Sequence, residues 1–277
     1  VADPTEATGK SRTAVFIHGM YMTALCWEHW LAHFQARGYR CLAPNWPGRD
    51  QPVDVLRQRH PDPQVGHLTL SRVLDHFRDV IRSLDDTPVL IGHSMGGLVA
   101  QLLLQEGPAC AAVAIDSAPP MGVFTLKWSF VKANWPHINP CVPPSRPIEM
   151  TFERFQYAFV NGLPLDDQRA AYERYVVPES RRVPREALTA RVDFKRPRPP
   201  LLLIAGSDDR IIPASLNRAN YAKYRAAPAI TDFAEFAGRT HFIIGQKGWE
   251  EVADFVLAWL KEKVHSERSR EHGVPGC

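Results

Sequence analysis

Residues 88–98 read Pro88-Val89-Leu90-Ile91-Gly92-His93-Ser94-Met95-Gly96-Gly97-Leu98. Val89 to Ile91 is a short apolar run of the kind that makes a fully buried strand. Met95 to Gln105 has a helical pattern with no proline in it. Between them a Gly-x-Ser-x-Gly turn must carry the chain from strand to helix within a few residues. Such a turn forces strained backbone angles on Ser94 and needs small neighbours to avoid clashes. It leaves the hydroxyl at the mouth of the sheet, beside a helix N-terminus whose free N–H groups favour negative charge. A glycine-rich turn that only packs a helix is the bland alternative. The strand–turn–helix setting favours a nucleophile elbow instead.

Outward from this stretch, strands and helices alternate. Upstream, Thr13 to Ile17 is an apolar run ending at Gly19, followed by a helix around Cys26 to Ala36 and a strand near Tyr39 to Ala43. Pro44, Pro47 and Pro52 with Gly48 make the next stretch a loop. Leu70, Val73, Leu74, Phe77, Val80, Ile81 and Leu84 then fall on one face of an amphipathic helix. Downstream, Ala111 to Ile115, Leu201 to Ala205 and Ala229 to Phe236 read as strands. Trp249, Val252, Phe255, Val256, Trp259 and Leu260 mark a final helix. This order predicts an α/β fold, with a mostly parallel sheet covered by helices on both faces.

Residues 121–197 break the alternation and hold eleven of the chain's 27 aromatic residues. Pro136, Pro140, Pro143, Pro144 and Pro147 forbid long regular elements there. The segment is expected to be an inserted cap on a core made of residues 13–120 and 198–264, with 265–277 a polar, loose tail. Its aromatics can form a small local core, line an apolar pocket, or both.

A serine nucleophile needs a base, and the base needs orienting. His241 lies between the last strand and the last helix, at the sheet edge where all parallel strands end. His93 sits inside the elbow, too constrained to serve its neighbour. His29 and His33 are four apart, but Glu does not follow His29, so the zinc-protease pattern fails. The orienting carboxylate should stand at another strand end, where Asp208 and Asp209 follow Leu201-Leu202-Leu203-Ile204-Ala205-Gly206-Ser207.

With these residues in order, the chain resembles the serine hydrolases of the α/β-hydrolase superfamily, as an esterase- or lipase-like member with an inserted cap. The resemblance spans residues 13 to 260. It implies that Asp209 is the acid, because Gly206, Asp209 and Pro213 match the family's Gly-x-x-Asp-x-x-x-Pro stretch. Asp208 then caps the turn, and Asp116 is the position some members use instead. Family members take the backbone N–H after the first strand's His-Gly pair and the N–H after the nucleophile as an oxyanion hole, which maps onto Met20 and Met95. Tyr21 and His93 are the expected substrate-binding side chains. Only twelve residues precede the first strand, so the expected sheet is trimmed to about six strands. The order Ser94, Asp209, His241 is the family's own.

The reaction so implied is cleavage of small or medium, mostly apolar carboxylic esters through an acyl-enzyme. Lactones, thioesters and carbon–carbon bonds beside ketones are alternatives with the same triad, and a non-catalytic ligand receptor is the alternative from another class. Neither metal nor organic cofactor is called for. Ser94 argues against relatives that use Asp as nucleophile, and Phe242 after His241 against those that cleave cyanohydrins. A rise in activity between about pH 6 and 8 would accompany deprotonation of the imidazole.

Composition limits the partners. Among 277 residues, 33 Lys+Arg against 30 Asp+Glu leave a net charge of +3, too weak a bias for a nucleic-acid partner. No apolar run is long enough to span a membrane. Residues 181–198 are a local basic stretch, expected to be a solvated face. Five widely spaced cysteines suit reduced thiols in a cytoplasmic protein. The oligomeric state is left open.

Overall fold

The structure is a computed structural model that describes residues 12–265; the expected tail lies outside the described residues from residue 266 onward. Six strands form one sheet: β1 (Arg12–Ile17), β2 (Tyr39–Leu42), β3 (Val89–His93), β4 (Ala111–Ile115), β5 (Leu201–Gly206) and β6 (Thr231–Phe236). Their order is β2-β1-β3-β4-β5-β6, with every neighbouring pair parallel. The chain therefore runs outward from β1 to β2, returns across β1, and adds β3 on its other side. That reversal opens a crevice beyond the C-terminal ends of β1 and β3, the place where an open α/β sheet binds ligands. Ile17 is level with Gly92 in the register, so the loops after these two strands leave the sheet side by side.

Side chains alternate across the sheet as the pleat requires. Ala14, Phe16, Val89 and Ile91 pack toward α1 (Glu28–Gln35) and the last helix, residues Trp249–Leu260. Val15, Ile17 and Leu90 face the opposite layer. Both faces are covered, which is why the central strands are apolar throughout rather than alternating.

Two short helices, α2 (Val53–Gln58) and α3 (Pro63–Gly66), follow β2 and lead to α4 (Leu70–Arg82). Thr69 caps α4 by accepting from the Arg72 N–H at 3.2 Å, satisfying one of the open donors of the first turn. Leu70, Val73, Phe77 and Ile81 are its buried stripe, while Leu74, Val80 and Leu84 are only half-buried. α5 (Met95–Leu104) is buried along its whole length, so it is apolar on every side.

Between β4 and β5 lie α6 (Trp128–Ile138), α7 (Phe152–Ala158), α8 (Leu165–Tyr175) and α9 (Arg182–Ala187). The aromatics of this segment divide. Phe155 stacks on Phe159 and packs against Tyr172, whereas Trp128 is 73% exposed. α10 (Ala214–Lys223) follows β5, and α11 is the helix Trp249–Leu260 already placed against α1.

The basic stretch departs from a solvated face. Arg185 donates to the carbonyls of His137, Asn139 and Val142 at 2.7–3.1 Å, and Arg181 donates to the Pro136 carbonyl. The last carbonyls of α6 have no further helical turn to donate to them, and these guanidinium groups donate to them and to carbonyls of the loop that follows. Arg191, Lys195 and Arg196 do stand in solvent. No helix among the described residues is long and apolar enough to cross a membrane.

Candidate active site

The elbow has the strain its sequence requires. Ser94 holds φ 57° and ψ −120°, a conformation that costs of order 1–3 kcal/mol and persists only when its surroundings impose it. They do so by close approach: a Cβ on Gly96 would stand 2.1 Å from the Ile17 carbonyl oxygen. Glycine is therefore the residue that lets α5 start against the end of β1.

The Ser94 hydroxyl lies 2.9 Å from His241 Nε2, and His241 Nδ1 lies 2.6 Å from Asp209 Oδ2. The other oxygen of Asp209 accepts from the N–H groups of Ile211 and Ile212 at 2.7 and 2.8 Å. A carboxylate accepts only, so Nδ1 carries the proton and Nε2 presents its lone pair to the serine. Burial draws the His241 imidazole down to about 3, which keeps it neutral around pH 7. Burial pushes the Asp209 carboxyl up, against its two backbone donors, which pull it down.

Other acids occupy other roles. Asp208 is exposed and accepts from the Ser207 hydroxyl. Asp116 is fully buried and accepts from the Gly206 N–H at 2.7 Å, so it ties β4 to β5. Burial, and then the neighbouring Asp209, push its carboxyl up. With His93 and His241, Asp116 makes a group whose ligand atoms lie within 4.8 Å of one another, spacing that could hold a metal ion. Both nitrogens of His241 are already engaged by Asp209 and Ser94, so a metal there would dismantle that chain.

The loop after β1 lies against the serine. Gly19 presses on Ser94, since a Cβ added there would meet the serine Cβ at 2.7 Å. His18 Nε2 accepts from the Trp46 N–H at 3.1 Å, so its Nδ1 must be the protonated nitrogen, and it donates to the Gly19 carbonyl at 2.8 Å. Burial, with Arg49 nearby, draws His18 down to about 3 and so supports that neutral tautomer. Because a trans peptide points its C=O and N–H in opposite directions, fixing the Gly19 carbonyl aims the Met20 N–H away from His18. The Met95 N–H is the first of α5, and no intrahelical acceptor exists for it.

Beyond Met20 the loop is clamped. Tyr21 takes a left-handed φ of 64°. Its carbonyl accepts from the Val177 N–H, and its N–H donates to Glu179 Oε2, both at 2.9 Å. Glu179 pairs with Arg49, which donates to the Met22 carbonyl at 3.0 Å, and the two side chains are 0% and 1% exposed. Sequence reading missed Arg49 and Glu179. They are 130 positions apart in two irregular segments, and no local pattern couples them.

A cavity of about 400 Å³ opens at the serine. Ser94, His241, Met20, Tyr21 and Met95 line it, and α6 and α7 roof it with Ala133, Tyr157 and Phe159 among others. Phe159 stands edge-on to the His241 ring at 4.9 Å. His93 is not in this wall. It is buried behind His241 and donates through Nε2 to that residue's carbonyl at 2.7 Å, so it positions the loop and does not reach a ligand in the cavity.

Comparisons with known proteins bear on the fold and the family. A pyrethroid hydrolase of Sphingobium wenxiniae is 25% identical over 268 residues, covering 88% of this chain and 87% of its own. The crystal structure of a pyrethroid hydrolase from Sphingobium faniae matches with a TM-score of 0.65 at 19% identity, over 91% of this chain and 98% of the other. A tomato methylketone synthase I variant complexed with β-ketoheptanoate matches at 0.69 and 15% identity, over 92% and 100%. These structural likenesses speak for the fold. The model of the alpha/beta hydrolase family matches residues 14–255, and with nearly the whole described chain inside that match, the protein belongs to this family.

Proposed function

We propose that the protein is a serine hydrolase of small or medium, mostly apolar carboxylic esters. The observation that carries this reading is the unbroken chain Asp209–His241–Ser94, with its serine end in a largely apolar cavity. His241 Nε2 takes the Ser94 proton as Oγ attacks the ester carbonyl. The oxyanion that forms is held by the N–H groups of Met20 and Met95, a kind of donor whose loss typically costs about a hundredfold to a thousandfold in rate. As the tetrahedral species collapses, His241 returns the proton to the departing alcohol and leaves an acyl-Ser94. Water deprotonated by the same nitrogen attacks that acyl group, and Ser94 regains its proton as the acid departs. Asp209 holds the tautomer and stabilises the imidazolium formed in each step. Residues 121–197 act as a cap that shapes the acyl and alcohol sites, over a core of residues 13–120 and 198–264. That the Sphingobium wenxiniae relative is a pyrethroid hydrolase supports an ester of a bulky, apolar acid or alcohol.

The test is turnover of p-nitrophenyl acetate and butyrate, together with a fluorophosphonate adduct located by mass spectrometry. Hydrolysis with the adduct on Ser94, both lost in Ser94→Ala, is the expected result. Absence of turnover and of labelling in the intact protein overturns the reading and favours a ligand receptor.

A further inference from the structure

The cavity wall contains a polar pair outside the triad. Tyr21, one residue beyond Met20, is hydrogen-bonded through its hydroxyl to His137 Nε2 near the end of α6. Both side chains line the cavity, and they are 2% and 7% exposed. The direction of each hydrogen bond follows from what its partner can do. His137 Nδ1 is 3.1 Å from the Asn134 carbonyl, which only accepts, so Nδ1 carries the proton. Burial draws the imidazole down to about 4 and pushes the Tyr21 hydroxyl up, so both groups are neutral around pH 7. Nε2 is then a lone pair, and the Tyr21 hydroxyl spends its proton on it.

The Tyr21 oxygen keeps acceptor capacity, and among the described residues no donor is bonded to it. In a wall that is mostly apolar in area, with Ile148, Met150, Ala158 and Ile211 alongside the charged Lys132, Glu153 and Arg154, this is a hydrogen-bond acceptor without a donor, next to the loop that carries Met20. Resting on the ester-hydrolase reading, we infer that the Tyr21–His137 pair is a specificity subsite for a hydrogen-bond donor, so that preferred substrates carry a hydroxyl or amide N–H on the part of the ester lying along this wall. An ether or ketone oxygen at the same place would set one acceptor against another and is disfavoured.

A neutral hydrogen bond of this kind contributes on the order of 1 kcal/mol net, equivalent to about five- to tenfold in kcat/KM. The experiment uses p-nitrophenyl esters of C4 to C8 acids bearing one hydroxyl at each position in turn, each compared with its methoxy analogue in the same enzyme variant. At one or two chain positions the wild-type protein should favour the hydroxy ester about five- to tenfold. In Tyr21→Phe that ratio should fall to about one. In His137→Leu the Tyr21 proton is released into the cavity, so the preference should swing toward the methoxy ester. A wild-type ratio of about one at every position overturns the inference, as does a hydroxyl preference that survives Tyr21→Phe. The corresponding hydroxy and methoxy methyl ketones, titrated calorimetrically into Ser94→Ala, separate this result from the fate of the catalytic reading. A hydroxyl preference in binding with no esterase activity in the intact protein refutes the hydrolase and keeps the subsite. Turnover without that preference does the reverse.

Discussion

Removing the Glu179 carboxylate probes the link between the segment from β4 to β5 and the catalytic loop. In Glu179→Ala, the N–H of Tyr21 loses its acceptor, and the N–H of Ser180 loses one at 2.6 Å. Arg49, 1% exposed, is left as an unpaired buried cation. Breaking such a pair from one side costs about 3–5 kcal/mol, because desolvation of the survivor is no longer offset. At about 2–4 °C per kcal/mol for a domain of this size, melting should fall by about 6–20 °C. The double variant Arg49→Met/Glu179→Ala leaves no lone charge, so much of that stability should return, and a double-mutant cycle with the single variants Arg49→Met and Glu179→Ala should show strong coupling.

Activity should not return with stability. Tyr21 stays in its left-handed conformation while its N–H and carbonyl are both held, by Glu179 and Val177. Without Glu179 the Met20 N–H next to it loses its fixed aim, so kcat should fall by up to about a hundredfold, the scale of one oxyanion donor, with KM little changed. Thermal unfolding and p-nitrophenyl butyrate kinetics on the two single variants and the double variant read both effects. A loss below about 1 kcal/mol in Glu179→Ala, or single effects that merely add, would refute the claim that Arg49 and Glu179 depend on each other. Wild-type kcat in the double variant would refute the positioning argument.

Two further outcomes follow from the site. His241 must be neutral to accept the serine proton, and burial lowers its value from the ordinary 6.5, so activity is present above the lowered value and lost as pH falls through it. kcat/KM should therefore be level from pH 6.5 to 8, with its acid limb lower, in place of the rise over this range that a free imidazole suggests; an acid limb centred at 7 or above would count against the burial argument. Asp209→Asn should cut kcat by about 10⁴-fold by letting Nδ1 act as an acceptor, whereas Asp208→Asn, on an exposed side chain, should leave kcat within about twofold. Equal losses in the two variants, measured on the same ester, would show that the acid has been misassigned.

What could be read from the chain beforehand divides along a physical line. The strands and α5 follow from continuous apolar runs and α4 and α11 from apolar periodicity, both local properties, and the elbow follows from a turn too tight for any residue but glycine where α5 meets β1. A parallel sheet delivers every strand end to one edge, which singles out His241 and the Asp208–Asp209 pair, and the resemblance to the family then chooses Asp209 between the two. Where neither periodicity nor topology fixes position, the reading fails. His93, expected among the substrate-binding side chains, is the last residue of β3 and is buried behind His241. It reaches back to the His241 carbonyl and not forward into the cavity. The arginines of 181–198 read as charge, but three carbonyls of the α6 C-terminus and the loop after it determine where Arg185 goes. Arg49, Glu179 and His137 meet their partners only after the irregular segments have folded over the sheet. Those contacts hold the loop that carries Met20 and give the wall beside it its polarity, and like the His241–Ser94 contact they join residues more than a hundred positions apart.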